Sequence, residues 1–324
     1  MHTTLAALIF YLLTILFLPV SLLGYVLWMS RLLLRRRSGI SATAQGPLSA
    51  RWVQHHLGTR RDEPASRLLM VLPGVSPLAV WLVFGPMLLA ARLSGYVPPT
   101  FRYPFVGAVS LQNQAAARQT FYDAVVDQYA SDVAQFVILG AGFDTRAFRM
   151  PEEVHVRSFE VDTPEVLTIK QQALQKAGID PTSVTFVAAN FGREDWLNRL
   201  VAAGFDTDKP TLFLWEGVTP YLERAAVKDT LGKIASLASG SVIAFDFITT
   251  EVLESPSLYL RLVRTLLQAG GEPLKFGIDS TPPVGERLAE LLQSCGLSLV
   301  TLRIAGNEQG GKRAWGGFAI AIVP

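Results

Sequence analysis

The stretch Leu139-Gly140-Ala141-Gly142-Phe143-Asp144-Thr145-Arg146 decides the fold. It closes an apolar run, Gln135–Leu139, that reads as a buried strand. A glycine-rich turn after a first strand lets the backbone approach a ligand closely. A dinucleotide fingerprint would carry a third glycine where Thr145 stands, which weakens a pyrophosphate reading. Eighteen and twenty residues after Gly142 come Glu160 and Asp162, at the end of the next apolar run. An acid there can hold both hydroxyls of a ribose. Two glycines plus a ribose-binding acid suit an adenosine-containing ligand without demanding a diphosphate. S-adenosylmethionine fits, and NAD is the alternative.

Outward from this turn, apolar runs alternate with helical stretches. Residues 156–159, Val184–Ala188, Thr211–Trp215 and 241–247 read as further strands, and 163–177, 194–203, 223–238 and 283–294 as helices between them. Such alternation predicts a parallel sheet covered on both faces. Residues 297–303 and 315–323 read as a final strand pair joined by the polar loop Asn307-Glu308-Gln309-Gly310-Gly311.

Several blocks in this region resemble the leucine carboxyl methyltransferase family of S-adenosylmethionine-dependent enzymes, which includes bacterial O-methyltransferases of small molecules and polyketides. Arg118-Gln119-Thr120-Phe121-Tyr122-Asp123 resembles its helix before the first strand. The glycine stretch, Phe159-Glu160-Val161-Asp162-Thr163-Pro164 with Lys170, and Trp215-Glu216-Gly217-Val218-Thr219-Pro220-Tyr221-Leu222 resemble its next motifs in order. Ser41-Ala42-Thr43-Ala44 is similar to the start of many bacterial members.

The resemblance implies a Rossmann-like class I methyltransferase sheet, mostly parallel with an antiparallel C-terminal strand. It also implies roles. Arg118 pairs with the methionine carboxylate of the cofactor. Gly140 and Gly142 let the backbone pass under it, and Asp162 with Glu160 holds the ribose. Asn190 and Phe191 stand at the adenine, where Asn190 replaces the family's frequent aspartate. Glu216 lies near the cofactor's amino group or the substrate mouth. Asp144 and Arg146 fix the loop rather than touch substrate. Tyr221, His55 and His56 are candidate groups near the acceptor. A catalytic base is not identified, and a carboxylate acceptor, ionised at pH 7, needs none.

Ahead of this region the chain is apolar. No charged side chain precedes Arg31, and residues 5–29 are mostly Leu, Ile, Val and Phe. A span needs about 20 such residues. Arg31, Arg35, Arg36 and Arg37 follow, which predicts a retained single-pass anchor with that end cytoplasmic. A cleaved signal peptide fits less well, because no Lys or Arg precedes the apolar run. A second uncharged run, 68–91, contains Pro73, Pro77 and Pro86. If it also crossed, the C-terminal domain would lie away from cytosolic cofactor. It is therefore expected to enter one leaflet as short helices broken at the prolines, or to line the substrate pocket. The expected organisation is an anchor with its arginine-rich flank at 1–37, a helical lid at 38–110 and a cofactor-binding domain at 111–324.

Composition narrows the classes. Of 324 residues 50% are hydrophobic and 17% charged, which excludes intrinsic disorder. The one cysteine, Cys295, excludes an intrachain disulfide, a zinc ribbon and an iron–sulfur ligand set. With four histidines, no metal site is expected. A net charge of +2 argues against a nucleic-acid partner. The expected partners are a hydrophobic small-molecule or lipid acceptor and the membrane. The competing classes are a membrane-tethered NAD-binding Rossmann oxidoreductase and a non-catalytic cofactor-binding scaffold.

Overall fold

The computed structural model describes residues 2–34, 42–151 and 153–324. Arg35, Arg36, Arg37 and Ser41, which carry part of the sequence reading, lie outside the described residues. Four helices come first: α1 (His2–Leu34), α2 (Ala42–Leu57), α3 (Glu63–Val71) and α4 (Pro77–Ser94). Then follow α5 (Gln114–Tyr129), β1 (Gln135–Leu139), β2 (Arg157–Asp162), α6 (Pro164–Ala177), β3 (Val184–Ala188), α7 (Trp196–Ala202), β4 (Thr211–Trp215) and α8 (Arg224–Ala235). The chain closes with β5 (Val242–Ile248), α9 (Thr250–Glu254), α10 (Leu258–Ala269), α11 (Val284–Ser294), β6 (Ser298–Ala305) and β7 (Gly316–Ile322).

The strands form one sheet in the order β3-β2-β1-β4-β5-β7-β6. β1 to β5 are parallel, and β7 is antiparallel to both β5 and β6. Strands β1, β4 and β7 are buried almost throughout, as the uninterrupted apolar runs require of strands covered on both faces. Two clusters, one on each face, make the core. Val137, Phe159, Phe213 and Phe245 pack beneath Trp196 and Leu231, and Phe136, Ile138 and Leu214 pack beneath Tyr122 and Phe121. Strand order reverses between β1 and β4, so a crevice opens beyond their C-terminal ends, the place where open α/β sheets bind ligands.

The expected strands and main helices of this domain are present within a few residues. Helices α9 and α10 were not read from the sequence. Residues 68–91 also differ from expectation. The chain breaks only at the Leu72–Ser76 turn, with Ser76 Oγ accepting from the Ala79 amide at the start of α4. α4 then runs unbroken past Pro86 to a C-terminal cap at Gly95. Ser76, Pro77 and Gly95 are ordinary start and stop signals, and one proline does not end a helix held on two sides.

Those two sides are α1 and α2. α1 lies antiparallel to α4, with Phe10 tilted against Tyr96 at 5.3 Å and Trp28 edge-on to Phe84 at 5.9 Å. Gly24 permits the approach: a Cβ there would lie 2.6 Å from Leu82 Cβ and 2.7 Å from the Val83 nitrogen. On its other flank α4 meets α2, where Trp52 and Trp81 are edge-on at 5.0 Å. The outer face of α1 is bare, with Leu8, Leu12, Ile15, Leu16 and Leu23 exposed. α1 and α4 are the two helices, among the described residues, long and apolar enough to cross a membrane. That property is shared by buried core helices and signal sequences.

Candidate active site

The crevice is a cavity of about 900 Å³. Gly140, Ala141 and Gly142 form its floor after β1, Asp162 its side after β2, and Asn190 and Phe191 the wall after β3. Glu216, Gly217, Val218, Pro220, Tyr221 and Leu222 line it after β4, and Asp246 from β5. α5 contributes Arg118 and α2 contributes Leu48 and Arg51. α10 contributes Tyr259, Leu260, Val263 and Leu267.

The glycines are required by geometry. Gly140 has φ +68° and Gly142 φ +46°, in the left-handed region where side chains are strained. The turn is tied to β2, because the Gly142 amide donates to Asp162 Oδ2 at 2.7 Å. The Thr163 amide donates to Asp162 Oδ1 at 2.7 Å. Burial nonetheless raises the Asp162 pKa; the two amides and Lys170 pull it back only in part.

Glu160 takes a different position from the one expected. It is fully buried and does not line the cavity; its Oε2 lies 2.6 Å from Lys170 Nζ, itself fully buried. The reason is its place in the strand: Glu160 is opposite Ile138 and Phe186 within the sheet, whereas Asp162 is the last residue of β2 and can turn back. His55 and His56 also stand outside the cavity lining. His55 Nδ1 accepts from the Asp62 amide at 3.1 Å. His56 stacks on Trp52 at 4.0 Å, and burial lowers its pKa. Tyr221 does line the cavity.

Charged side chains meet above the sheet. Arg118 Nε lies 2.9 Å from Glu216 Oε1 and 3.8 Å from Asp246 Oδ2. Arg146 Nη1 donates to Glu216 Oε2 at 2.6 Å and also bonds Asp144. Arg51 reaches Asp144 at 3.4 Å and Glu216 at 3.5 Å. Burial alone would raise Glu216, but Arg146, Arg118 and Arg51 more than reverse this and hold it ionised. Arg146 and Arg51 hold Asp144 well below the carboxylate range, again against burial.

A second ionic group lies behind this one. Arg60 Nε donates to Asp123 Oδ2 at 2.6 Å and Arg60 Nη1 to Asp62 Oδ2 at 2.6 Å. Arg146 Nε and Arg149 Nη2 both donate to Asp123 Oδ1, at 2.9 and 2.7 Å. Tyr103 adds its hydroxyl to Asp123 Oδ2 at 3.0 Å; burial and that carboxylate push the phenol up to about 12.

Arg51 and Asp246 were not assigned roles from the sequence. Asp246 accepts from the Gly217 amide at 2.6 Å and from Tyr122 Oη at 3.2 Å, which fixes the turn after β4. An acid near the end of an apolar strand was the available signal. Nothing local distinguished Arg51 from its arginine-rich neighbourhood.

The fold and crevice define the class: a mixed α/β sheet of the class I methyltransferase kind. A family model described as leucine carboxyl methyltransferase matches residues 105–235. A Mycobacterium sp. strain KMS protein, named as an S-adenosyl-L-methionine-dependent methyltransferase, is 35% identical over 51% of this chain and 53% of its own length. A similarly named Mycobacteroides abscessus protein is 32% identical over 60% of this chain and 65% of its own. The chain spans about half the length of the first of these curated relatives. Among solved structures, a magnesium protoporphyrin IX methyltransferase from Synechocystis aligns with a TM-score of 0.42 at 13% identity, over 68% of this chain and 91% of that one. An O-methyltransferase family protein from Burkholderia thailandensis aligns with a TM-score of 0.43 at 16% identity, over 65% and 57%.

Proposed function

We propose that the protein is an S-adenosylmethionine-dependent O-methyltransferase acting on a carboxylate or hydroxyl of a hydrophobic acceptor at a membrane. The observation that carries this reading is the charge arrangement in the cavity. Its lining holds Asp144, Asp162, Glu216, Asp246 and Glu272 against Arg51, Arg118 and Lys275, a net −2. That excess suits a ligand bearing a sulfonium and an ammonium beside one carboxylate.

The residues fit the cofactor in detail. Asp162 would take the ribose hydroxyls, since each of its oxygens has a lone pair beyond the one used by a backbone amide. Phe191 would lie against the adenine and Asn190 would meet its edge. Glu216, held ionised, would take the ammonium. Arg118 would take the carboxylate with Arg51 beside it; the Nε of Arg51 is buried without a hydrogen-bond partner. The cofactor supplies an activated methyl group, and the protein's part is alignment of acceptor, methyl and sulfur.

The cavity lining contains no histidine or cysteine among the described residues. A carboxylate acceptor needs no base, and a hydroxyl would call on Tyr221 or a carboxylate of the lining. The apolar side chains of Val252, Leu260, Val263 and Leu267 suit a hydrophobic acceptor body. α1 is the proposed anchor, with the catalytic domain on the cytoplasmic side, because the arginine-rich segment follows α1 directly.

Calorimetric titration of the detergent-purified chain with S-adenosylhomocysteine, with NAD as comparison, tests the cofactor reading. Binding that Asp162→Ala abolishes is the expected result. NAD binding in its place would support the oxidoreductase. Cofactor binding without methyl transfer into lipid extracts would support the scaffold.

A further inference from the structure

α10 has an unusual surface for a helix at the wall of a cavity. Leu260, Val263 and Leu267 face the cavity. Leu258, Leu262 and Leu266, spaced by four and so on one face, are 79%, 58% and 62% exposed. Tyr259 belongs to both sets: it lines the cavity and is 60% exposed. At 3.6 residues per turn these seven side chains form one apolar arc from solvent into the cavity, and Arg261, Arg264, Thr265 and Gln268 fill the remaining arc. None of the twelve residues is buried and none is acidic.

We propose that α10 lies in the headgroup region of a lipid bilayer, with its outer leucines among the acyl chains, and that the acceptor enters the cavity along the same apolar arc. Twelve residues span about 18 Å at 1.5 Å each, well short of the roughly 30 Å of hydrocarbon, so the helix cannot cross and must lie in the interface. Leucines and a tyrosine on one arc with arginines on the other is the pattern of such a helix, and the absence of acids suits anionic lipid. The base is held while the face stays free: Arg264 Nη1 and Nη2 donate to the backbone oxygens of Val252 and Ser255 at 2.7 and 2.9 Å. The bilayer is chosen over a second copy of the chain because α1 presents a far larger bare apolar surface on the same molecule. The inference rests on the membrane part of the proposed function and names the route by which a hydrophobic acceptor arrives.

The test places an environment-sensitive label on the full chain in phosphatidylcholine–phosphatidylglycerol nanodiscs, one copy per disc. In a Cys295→Ser background the label is carried by Leu262→Cys, or by Ile15→Cys on α1 as the anchor control. The expected result is that the label at position 262 loses quenching by aqueous iodide and gains quenching by nitroxide lipids labelled near the headgroup. A label at 262 that stays open to iodide while the one at 15 is protected overturns the α10 proposal alone. Both labels open to iodide overturns the membrane reading with it. Protection at 262 seen only in discs holding two copies assigns the face to self-association and overturns the proposal. S-adenosylhomocysteine binding, measured on the same samples, reports the methyltransferase reading independently.

Discussion

Arg51 of α2 lies 3.5 Å from Glu216 at the end of β4, although 165 positions separate them in the chain. The contact brings α2 over the crevice. Arg51→Met is expected to weaken S-adenosylhomocysteine binding by about ten- to a hundredfold, the 1.5–3 kcal/mol of a charged hydrogen bond. Arg51→Lys should recover part of the loss. Calorimetric affinities equal to wild type for the methionine variant would remove Arg51 from the cofactor site.

Gly217 holds Arg118 in place by having no side chain. Its φ is +71°, and a Cβ there would collide with the Arg118 guanidinium. Gly217→Ala should displace Arg118 from Glu216 and lower cofactor affinity, with the fold retained. Near-wild-type circular dichroism together with lost binding is the expected pair of readings. Unchanged binding would mean that Arg118 is not needed where it stands.

Gly24 and Gly46 offer a matched comparison. A Cβ at Gly24 meets Leu82 and Val83 of α4, whereas at Gly46 of α2 nothing lies within 4 Å. Gly24→Ala should therefore destabilise the α1–α4 contact, by about 1–3 kcal/mol if the helices cannot separate. Gly46→Ala should stabilise by about 0.5–1 kcal/mol through helix propensity. Thermal midpoints in detergent moving in the same direction would contradict the packing described.

Glu160 and the arginine-bound aspartates act on stability in opposite pH ranges. Burial pushes Glu160 up to about 7 from an ordinary 4.5, against the pull of Lys170. Between those values the folded chain keeps a proton that the unfolded chain has lost, so stability falls as pH rises through that window. For Asp123 and Asp144, burial raises and the arginines more than reverse it, so their pKa values are lowered. Their stabilisation is complete above the ordinary aspartate value and drains away as pH falls below it. Unfolding profiles should show both limbs, and Glu160→Gln should flatten only the limb between 4.5 and 7. An unaltered upper limb in that variant would assign it to another group.

The sheet was readable because its signals are local. Buried parallel strands are short apolar runs, and the turns after β1 and β4 carry their cavity-lining residues beside them in sequence. The separation of Asp162 from Glu160 was not readable. Both are acids at the end of one strand, and only the position of Lys170 on α6 shows which is interior. The histidines misled for a related reason: a pair in a polar stretch looks available, but α4 covers one and the Asp62 turn uses the other. α10 escaped notice because its arc is apolar toward two different surroundings, so it has no single buried stripe. The prolines of 68–91 predict a broken segment, but α1 and α2 brace α4 from either side, and that bracing has no local signal in the sequence.

The ionic lattice of Arg60, Asp62, Asp123, Arg146 and Arg149 joins the α2–α3 connection to the residues around the sheet. Asp123 belongs to the family-matched residues, while its partner Arg60 precedes them. A chain cut at residue 105 would take Arg60 from Asp123 and Arg51 from Asp144, leaving the first with Arg146 and Arg149 and the second with Arg146. The buried acids of the sheet thus draw their full set of cations only when both parts of the polypeptide are together.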